Sequence, residues 1–413
     1  MTALQLLSYI CAALLIQFTI ATGVAAWRWR RSDRLPALPA IEAGDDAEAP
    51  AWPGLREFRV LRRQFEDALR TQCSFQLVPV DGVALPPFLA GQFLTFALDI
   101  PHPSGGTSRP VMRCYSVSEA PRPGSYRITV KRVPPPPDRP ALPPGLASNH
   151  LHDRVREGDL LRVKAPAGYF SIDADVGVPA VFIAGGIGIT PMMSMLTWCL
   201  EQQPTRALYL YYGLRHGGEH AFKASLEALA AAHPTFHLNV VYSQPALSDV
   251  LGRDHQHTGH VDLALLRQTL PHGRHAFYIC GPPAMMASLV PGLIEWGIPP
   301  QDIHYEAFGP ASPAPLHAAS NRAAHSATIA VDVQFRRSGR TLVWSGQDAS
   351  LLDFAERHGI AVESGCRSGS CGSCEMALVA GSVCYAVAPD RALATGRCLL
   401  CVGTPGSALV LDA

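Results

Sequence analysis

Residues 363–374 read ESGCRSGSCGSC, so Cys366, Cys371 and Cys374 stand in a C-x4-C-x2-C spacing with little but glycine and serine between them. A [2Fe-2S] cluster needs four thiolates around a diamond of iron and sulfide, and three from one loop plus one from a distant position can supply them. Small residues at Gly365, Ser368, Gly369, Ser370, Gly372 and Ser373 let backbone N–H groups approach the sulfides, which bulkier side chains would obstruct. The fourth thiolate must come from GRCLLCVGTPGSALVLDA, where both Cys398 and Cys401 are available. A zinc ribbon is the competing use of such cysteines, and the loop spacing and glycine content favour the cluster over it.

The chain has 413 residues, enough for two or three domains. Its 34 basic and 34 acidic residues cancel and no lysine-rich run occurs, so no nucleic acid partner is expected. Eleven cysteines is an odd count, scattered singly outside the loop, which reads as a reduced compartment and not a disulfide framework. Residues 1–27 carry no charged side chain, and RWRRSDR then supplies four arginines. About 20 apolar residues span a bilayer as a helix, and flanking arginines stay on the cytoplasmic side. A cleaved signal peptide would want a positive start, which is missing, so residues 1–30 are expected to form an uncleaved anchor in the cytoplasmic membrane. Residues 31–53, rich in Pro, Ala and acids and including Asp45 and Asp46, read as a tether.

Further along, short alternating stretches (REFRVLRR, CSFQLVPV, QFLTFALDI, RCYSVSEA, YRITVKRV) predict an antiparallel β-barrel over 54–175. The proline run at 134–144 must leave its sheet. Over 176–309 apolar strands (AVFIAG, ALYLYYG, LNVVYS, AFYICG) alternate with helical stretches, the pattern of an α/β domain with a parallel sheet. The methionines of PMMSM are expected to pack a helix on that sheet. An Ala, Pro and Ser linker at 310–326 leads to the cysteine-bearing module, 327–413.

Two upstream features suit a dinucleotide-like cofactor. Arg113, Tyr115 and Ser116 (R-x-Y-S) offer a guanidinium for phosphate and an aromatic face for a flat ring, while Gly145 and Ser148 open a short helix whose N-terminus favours a pyrophosphate. VFIAGGIGITPMM runs from a strand into Gly185, Gly186 and Gly188 and then a helix begun by Pro191, a turn that brings amides against a phosphate. Taken alone R-x-Y-S is a weak signal. His216, His220, His255, His257 and His260 invite a metal reading, but without a convergent acid they are expected to be solvated loop residues.

In this order the set resembles the ferredoxin-NADP reductase superfamily: R-x-Y-S and G-x-x-S for flavin, G-G-x-G-x-T-P for the nicotinamide dinucleotide, then YICGPPAMM and YEAFG. This resemblance covers residues 55–309; AWPGLREFRVLRR through LPPFLAGQFLTF (51–96) is most similar to the reductase part of flavohaemoglobins, and 327–413 resemble a plant-type ferredoxin, a β-grasp (α+β) domain. The module order is like that of phthalate dioxygenase reductase. The resemblance implies Cys401 as the fourth ligand, because it follows the apolar pair in LLCV, and leaves Cys398 as a bystander. It implies Arg113 on the flavin phosphate, Tyr115 and Ser116 on the isoalloxazine, Gly145 and Ser148 on the pyrophosphate, and backbone contacts from Lys131. Gly185, Gly186, Gly188, Thr190 and Pro191 would receive the nucleotide; Cys280 and Gly281 would flank the nicotinamide, with a small buried thiol as the plainer fate of Cys280. Glu306 and Phe308 would close the flavin's other face, and Tyr115, Ser116, Cys280 and Glu306 are the residues nearest the chemistry.

The expected cofactors are FAD, with FMN the alternative, a [2Fe-2S] cluster, and NADH in preference to NADPH. The preference rests on YYGLRHGGEH, which offers Arg215 but no serine and arginine pair for a 2′-phosphate. The expected function is an NAD(P)H-dependent reductase passing electrons through flavin and cluster to a protein acceptor, an oxygenase, desaturase or similar partner. A redox sensor that regulates a partner would instead show little turnover with artificial acceptors, and a zinc-bearing adaptor would lack the visible spectrum of flavin and cluster.

Overall fold

The computed structural model describes residues 51–101, 110–135, 140–173, 175, 177–306, 308, 330–367, 369–385, 389 and 393–413. The expected membrane anchor at 1–30, most of the tether at 31–53, the linker at 310–326 and the middle of the proline run lie outside these residues. Among the described residues no helix is long and apolar enough to cross a membrane. All of them belong to one compact unit, Asp45–Ala413.

The first six strands bend around one core. They are β1 (Arg56–Phe65), β2 (Gln72–Pro79), β3 (Phe93–Leu98), β4 (Val111–Ser116), β5 (Tyr126–Lys131) and β6 (Leu160–Ala167), arranged β4-β3-β6-β1-β2-β5. Every pairing is antiparallel, and the two edges meet where Val117, just past β4, bridges Ile128 of β5. Phe58, Phe75, Phe96 and Tyr126 fill the interior, and helix α1 (Leu146–Asp153) stoppers it with Ala147 and Leu151.

The parallel sheet follows: β7 (Ala180–Gly185), β8 (Leu208–Leu214), β9 (Phe236–Tyr242), β10 (His257–Thr258), β11 (Ala276–Cys280) and β12 (Ile303–Glu306), in the order β10-β9-β8-β7-β11-β12. Helices α2 (Ile189–Gln202) and α3 (Lys223–Ala232) belong to the core on one face, and α4 (Leu263–Thr269) and α5 (Pro283–Glu295) to that on the other. With both faces covered, β7 and β11 are buried at every position. The chain winds outward from β7 to β10 and returns beside β7 as β11, so the carboxyl ends of β7 and β11 form the switch point where ligands bind in such sheets. The α4 helix, capped by Asp262 accepting from the Leu265 N–H, is too short to register as a periodic pattern.

Barrel and parallel sheet are bonded together. Ser194 Oγ donates to the Glu119 carbonyl at 2.7 Å, Gln72 Nε2 donates to the Glu219 carbonyl at 2.8 Å, and the Arg127 guanidinium lies 5.2 Å from the Phe222 ring centroid.

The last module is a mixed sheet of β13 (Val331–Phe335), β14 (Arg340–Trp344), β15 (Glu375–Ala380), β17 (Arg397–Leu399) and β19 (Leu409–Leu411), ordered β14-β13-β19-β15-β17. Only β13 and β19 pair in parallel, and β16 (Val383–Tyr385) with β18 (Gly403–Pro405) forms a separate ribbon. Helix α6 (Leu351–Arg357), capped by Ser350, lays Leu351, Leu352, Phe354 and Ala355 on the sheet's apolar face. One helix across such a sheet is the expected β-grasp arrangement.

Candidate functional site

The end of β4 meets the ends of β11 and β12. Ser116 Oγ donates to Glu306 Oε2 at 3.4 Å across 190 residues of sequence, and Cys280 is the register neighbour of Glu306. Burial pushes the Glu306 carboxyl up to about 8 and the fully buried Cys280 thiol well above its ordinary value. Tyr115 is half-buried, its ring edge-on to Phe96 at 5.7 Å, and burial raises its hydroxyl too. Arg113 is exposed, and its guanidinium turns back to the Met112 carbonyl at 2.7 Å. Phe308 is 40% exposed.

The glycine turn is tight for a definite reason. A Cβ at Gly188 would lie 2.0 Å from the Cys280 carbonyl oxygen, and one at Gly281 would lie 3.1 Å from the Gly185 Cα, so β7 and β11 can approach only without side chains there. Gly186 adopts φ +53 and faces open space, with Lys131 Nζ the nearest atom to a Cβ at 3.8 Å. The Lys131 side chain therefore points at the turn, where mostly backbone contacts were expected of this residue. Thr190 is buried and its hydroxyl donates to the Ile187 carbonyl at 3.1 Å; Pro191 sits buried in the first turn of α2. Neither α2 nor α1 has a side-chain cap, each being preceded by glycine (Gly188 and Gly145); the first amides of α1 are left for another acceptor, whereas in α2 the Ile189 N–H donates to the Gly186 and Ile187 carbonyls and Pro191 carries none. Ser148 Oγ turns back to the Gly145 carbonyl at 3.3 Å. Uncapped amides, the cradle a Cβ would fill and a buried neutral carboxyl fit a dinucleotide and a flavin.

In the cysteine loop the sulfurs gather in two pairs. The Cys371 N–H points at the Cys366 sulfur and the Cys366 N–H at the Cys371 sulfur, both at 3.3 Å, while the Cys401 N–H points at the Cys374 sulfur at 3.4 Å. Positive φ at Arg367 (57), Gly369 (85) and Gly372 (65) turns these amides inward, and a Cβ at Gly365 would come 2.8 Å from the Cys371 sulfur. Among the described residues no group of three or more His, Cys, Asp or Glu could hold a metal ion. Two pairs of thiols with amides directed at sulfur fit a two-iron cluster instead, with two thiolates for each iron. Cys398 and Cys401 make a second C-x2-C, as a zinc ribbon would, but Cys398 is buried in the core beside Leu399 and burial pushes its thiol up to about 12.

The histidine expectation needs correction. His220 and His255 are 3% and 2% exposed, not solvated. Both surround Tyr242: His220 Nδ1 lies 2.8 Å from its hydroxyl, and the His255 ring stacks on it at 4.6 Å. Burial lowers the His220 imidazole to about 4, so it packs as a neutral ring. Sequence reasoning also missed Lys164, whose Nζ donates to the Cys371 carbonyl at 3.4 Å, and Cys114, whose sulfur adjoins Gly365; nothing local marks either residue.

Residues 83–172 match the oxidoreductase FAD-binding domain family, 182–290 the oxidoreductase NAD-binding domain family and 333–406 the 2Fe-2S iron-sulfur cluster binding domain family. The flavohemoprotein of Halalkalibacterium halodurans is 40% identical over 290 residues, 68% of this chain and 68% of that protein. The flavohemoprotein of Bordetella pertussis is 38% identical over 274 residues, 66% of this chain and 64% of that one, so this chain spans about two thirds of these relatives. Among solved structures, the flavohem-like FAD/NAD binding domain of nitric oxide dioxygenase from Vibrio cholerae matches with a TM-score of 0.53 and 34% identity, covering 62% of this chain and 100% of that domain. Phthalate dioxygenase reductase, described as a modular structure for electron transfer from pyridine nucleotides to [2Fe-2S], matches with a TM-score of 0.51 and 25% identity over 87% of this chain and 98% of its own. With its flavin, nucleotide and iron-sulfur modules in one succession, the chain belongs to the ferredoxin-NADP reductase superfamily, as an NAD(P)H-dependent oxidoreductase with FAD and a C-terminal [2Fe-2S] domain.

Proposed function

We propose that the protein takes electrons from NADH and delivers them singly, through the cluster held by Cys366, Cys371, Cys374 and Cys401, to the oxygenase, desaturase or similar component of a membrane-associated system. The observation that carries the reading is the position of β4. Its Ser116 reaches Glu306 of the nucleotide sheet, and its Cys114 lies against the cluster loop at Gly365, so one strand adjoins both ends of the route. When bound, the flavin takes a hydride and releases single electrons, which the cluster accepts one at a time.

The chain's own residues do the rest. Arg113 and the uncapped amides at Gly145, with Ser148, bind the flavin's phosphates, and Tyr115 gives its ring a face. Gly185, Gly186, Gly188, Thr190 and Pro191 shape the turn that takes the nucleotide's phosphates, with Lys131 supplying positive charge beside it. Cys280 and Gly281 flank the nicotinamide, and the burial of Cys280 excludes water there. Glu306, neutral at pH 7 because it is buried, holds its proton at the carboxyl beside Ser116 without opposing the negative charge that arrives there, and Phe308 covers the approach. Arg215 pairs with the buried Glu219 carboxylate, which spends the one guanidinium available for a 2′-phosphate and favours NADH.

The membrane part rests on residues 1–30 of the sequence. An anchor raises effective concentration toward a membrane partner without new contacts. Deleting residues 1–31 tests both halves: NADH-dependent reduction of ferricyanide or cytochrome c persists, and recovery in the membrane fraction is lost. Full-length protein wholly in the soluble fraction sinks the anchor; no NADH-dependent reduction by flavin-loaded full-length protein sinks the reductase reading. NADPH preferred tenfold or more, about 1.4 kcal/mol, overturns the nucleotide assignment.

A further inference from the structure

The flavin barrel meets the cluster loop at Cys371. Thr95 of β3 stands in register with Cys114 of β4 on one side and Lys164 of β6 on the other, so the three form one row across neighbouring strands. From this row Lys164 Nζ donates to the Cys371 carbonyl at 3.4 Å, and the Cys114 and Cys371 sulfurs both border Gly365. Thr95 Oγ1 lies 3.3 Å from the Cys114 sulfur, a contact that orients the thiol. Gly365 closes the space from the other side, since a Cβ there would lie 3.4 Å from the Cys114 sulfur and 2.8 Å from that of Cys371.

We infer that Cys114 is a positioning residue for electron transfer, its S–H donating to the Cys371 ligand sulfur and raising the cluster's reduction potential. The inference rests on the cluster assignment made above. Its physical basis is charge: reduction adds negative charge that the ligand sulfurs share, and each donor aimed at a sulfur stabilises the reduced form more than the oxidised one. The other donors to the Cys371 sulfur, the N–H groups of Cys366 and Ser373 at 3.3 and 3.5 Å, come from the loop itself. The Cys114 thiol comes from another domain, one residue from Tyr115. The same strand thus serves the flavin and adjusts the centre that receives its electrons, and the row Cys114, Thr95, Lys164 faces the cluster loop at Cys371.

The experiment is a dye-mediated redox titration of the full-length holoprotein, with the reduced cluster read by its EPR signal and iron and flavin content measured first. At one fixed solution potential, Cys114→Ala should hold a reduced-to-oxidised ratio about three- to tenfold below wild type, tenfold being 59 mV for a one-electron couple. Cys114→Ser, which keeps a donor, should recover more than half of the shift, and Thr95→Val should shift it in the same direction by less. An unshifted potential in a fully loaded Cys114→Ala protein overturns the inference and leaves the cluster assignment standing. Should Cys114→Ala fail to load, Thr95→Val decides: a lowered potential supports the inference and an unchanged one overturns it. Wild-type protein with neither iron nor the EPR signal removes the cluster assignment, and the inference with it.

Discussion

The cluster loop and the flavin–nucleotide junction are built in opposite ways. Three of the four proposed ligands lie within one short stretch, and the chain's own turns at Gly369 and Gly372 aim its amides at sulfur. The junction gathers Ser116, Gly188, Cys280 and Glu306 from strands up to 190 residues apart, and only the register of two sheets brings them together. A local site is specified by spacing, whereas a distributed one is specified by packing. Substitutions should therefore be selective in the loop and should propagate in the junction.

The largest effect is expected in the loop. Cys371→Ser or Cys401→Ser should leave protein nearly devoid of cluster iron while flavin content stays near wild type. Cys398→Ser should keep its cluster, because Cys398 packs in the core and belongs to neither sulfur pair. Iron analysis and the visible spectrum of the purified variants check this; a Cys398→Ser protein lacking iron, beside a loaded Cys401→Ser, would reverse the ligand assignment.

Legibility follows the same division. Cys366, Cys371, Cys374, the glycine turn and R-x-Y-S could be read because each is a few residues long and its chemistry fixes its spacing. The closing bridge from Val117 to Ile128 and the contact of Ser116 with Glu306 could not, since both depend on strand register. His220 and His255 were misread because a loop position says nothing of the buried Tyr242 they surround. Cys114 occupies the unspecified position of R-x-Y-S, and only the docked ferredoxin module brings it beside the cluster loop.

The second effect concerns the junction. Gly188→Ala puts a Cβ 2.0 Å from the Cys280 carbonyl oxygen, so β7 and β11 must part by about an ångström. A displacement of that order at the nicotinamide site should lower kcat/KM for NADH by about 100-fold. Steady-state kinetics with ferricyanide checks it, and an intact cluster spectrum in the same protein would confirm that the two regions fail independently.

The third effect is in stability and is spread over several pH units. Glu306 is raised to about 8 in the folded protein against 4.5 in the unfolded chain, so between these values the folded state holds a proton the unfolded state has lost. Stability from this group therefore falls as pH rises through that window, by up to about 1.4 kcal/mol per pH unit, and levels off above it. Glu306→Gln should flatten this slope. Urea melts of the cofactor-free protein at pH 5, 6, 7 and 8 measure the difference; equal slopes in the two proteins would place the carboxyl in a solvated setting.

Anaerobic titration of the holoprotein with NADH, followed by visible absorbance and EPR together, tests the route from nucleotide to cluster most directly. The account predicts that NADH bleaches the flavin and develops the reduced [2Fe-2S] signal in the wild type, and that Cys371→Ser retains the bleaching and loses the signal. Flavin bleaching in the wild type with the cluster left oxidised, when dithionite can still reduce it, would contradict the account.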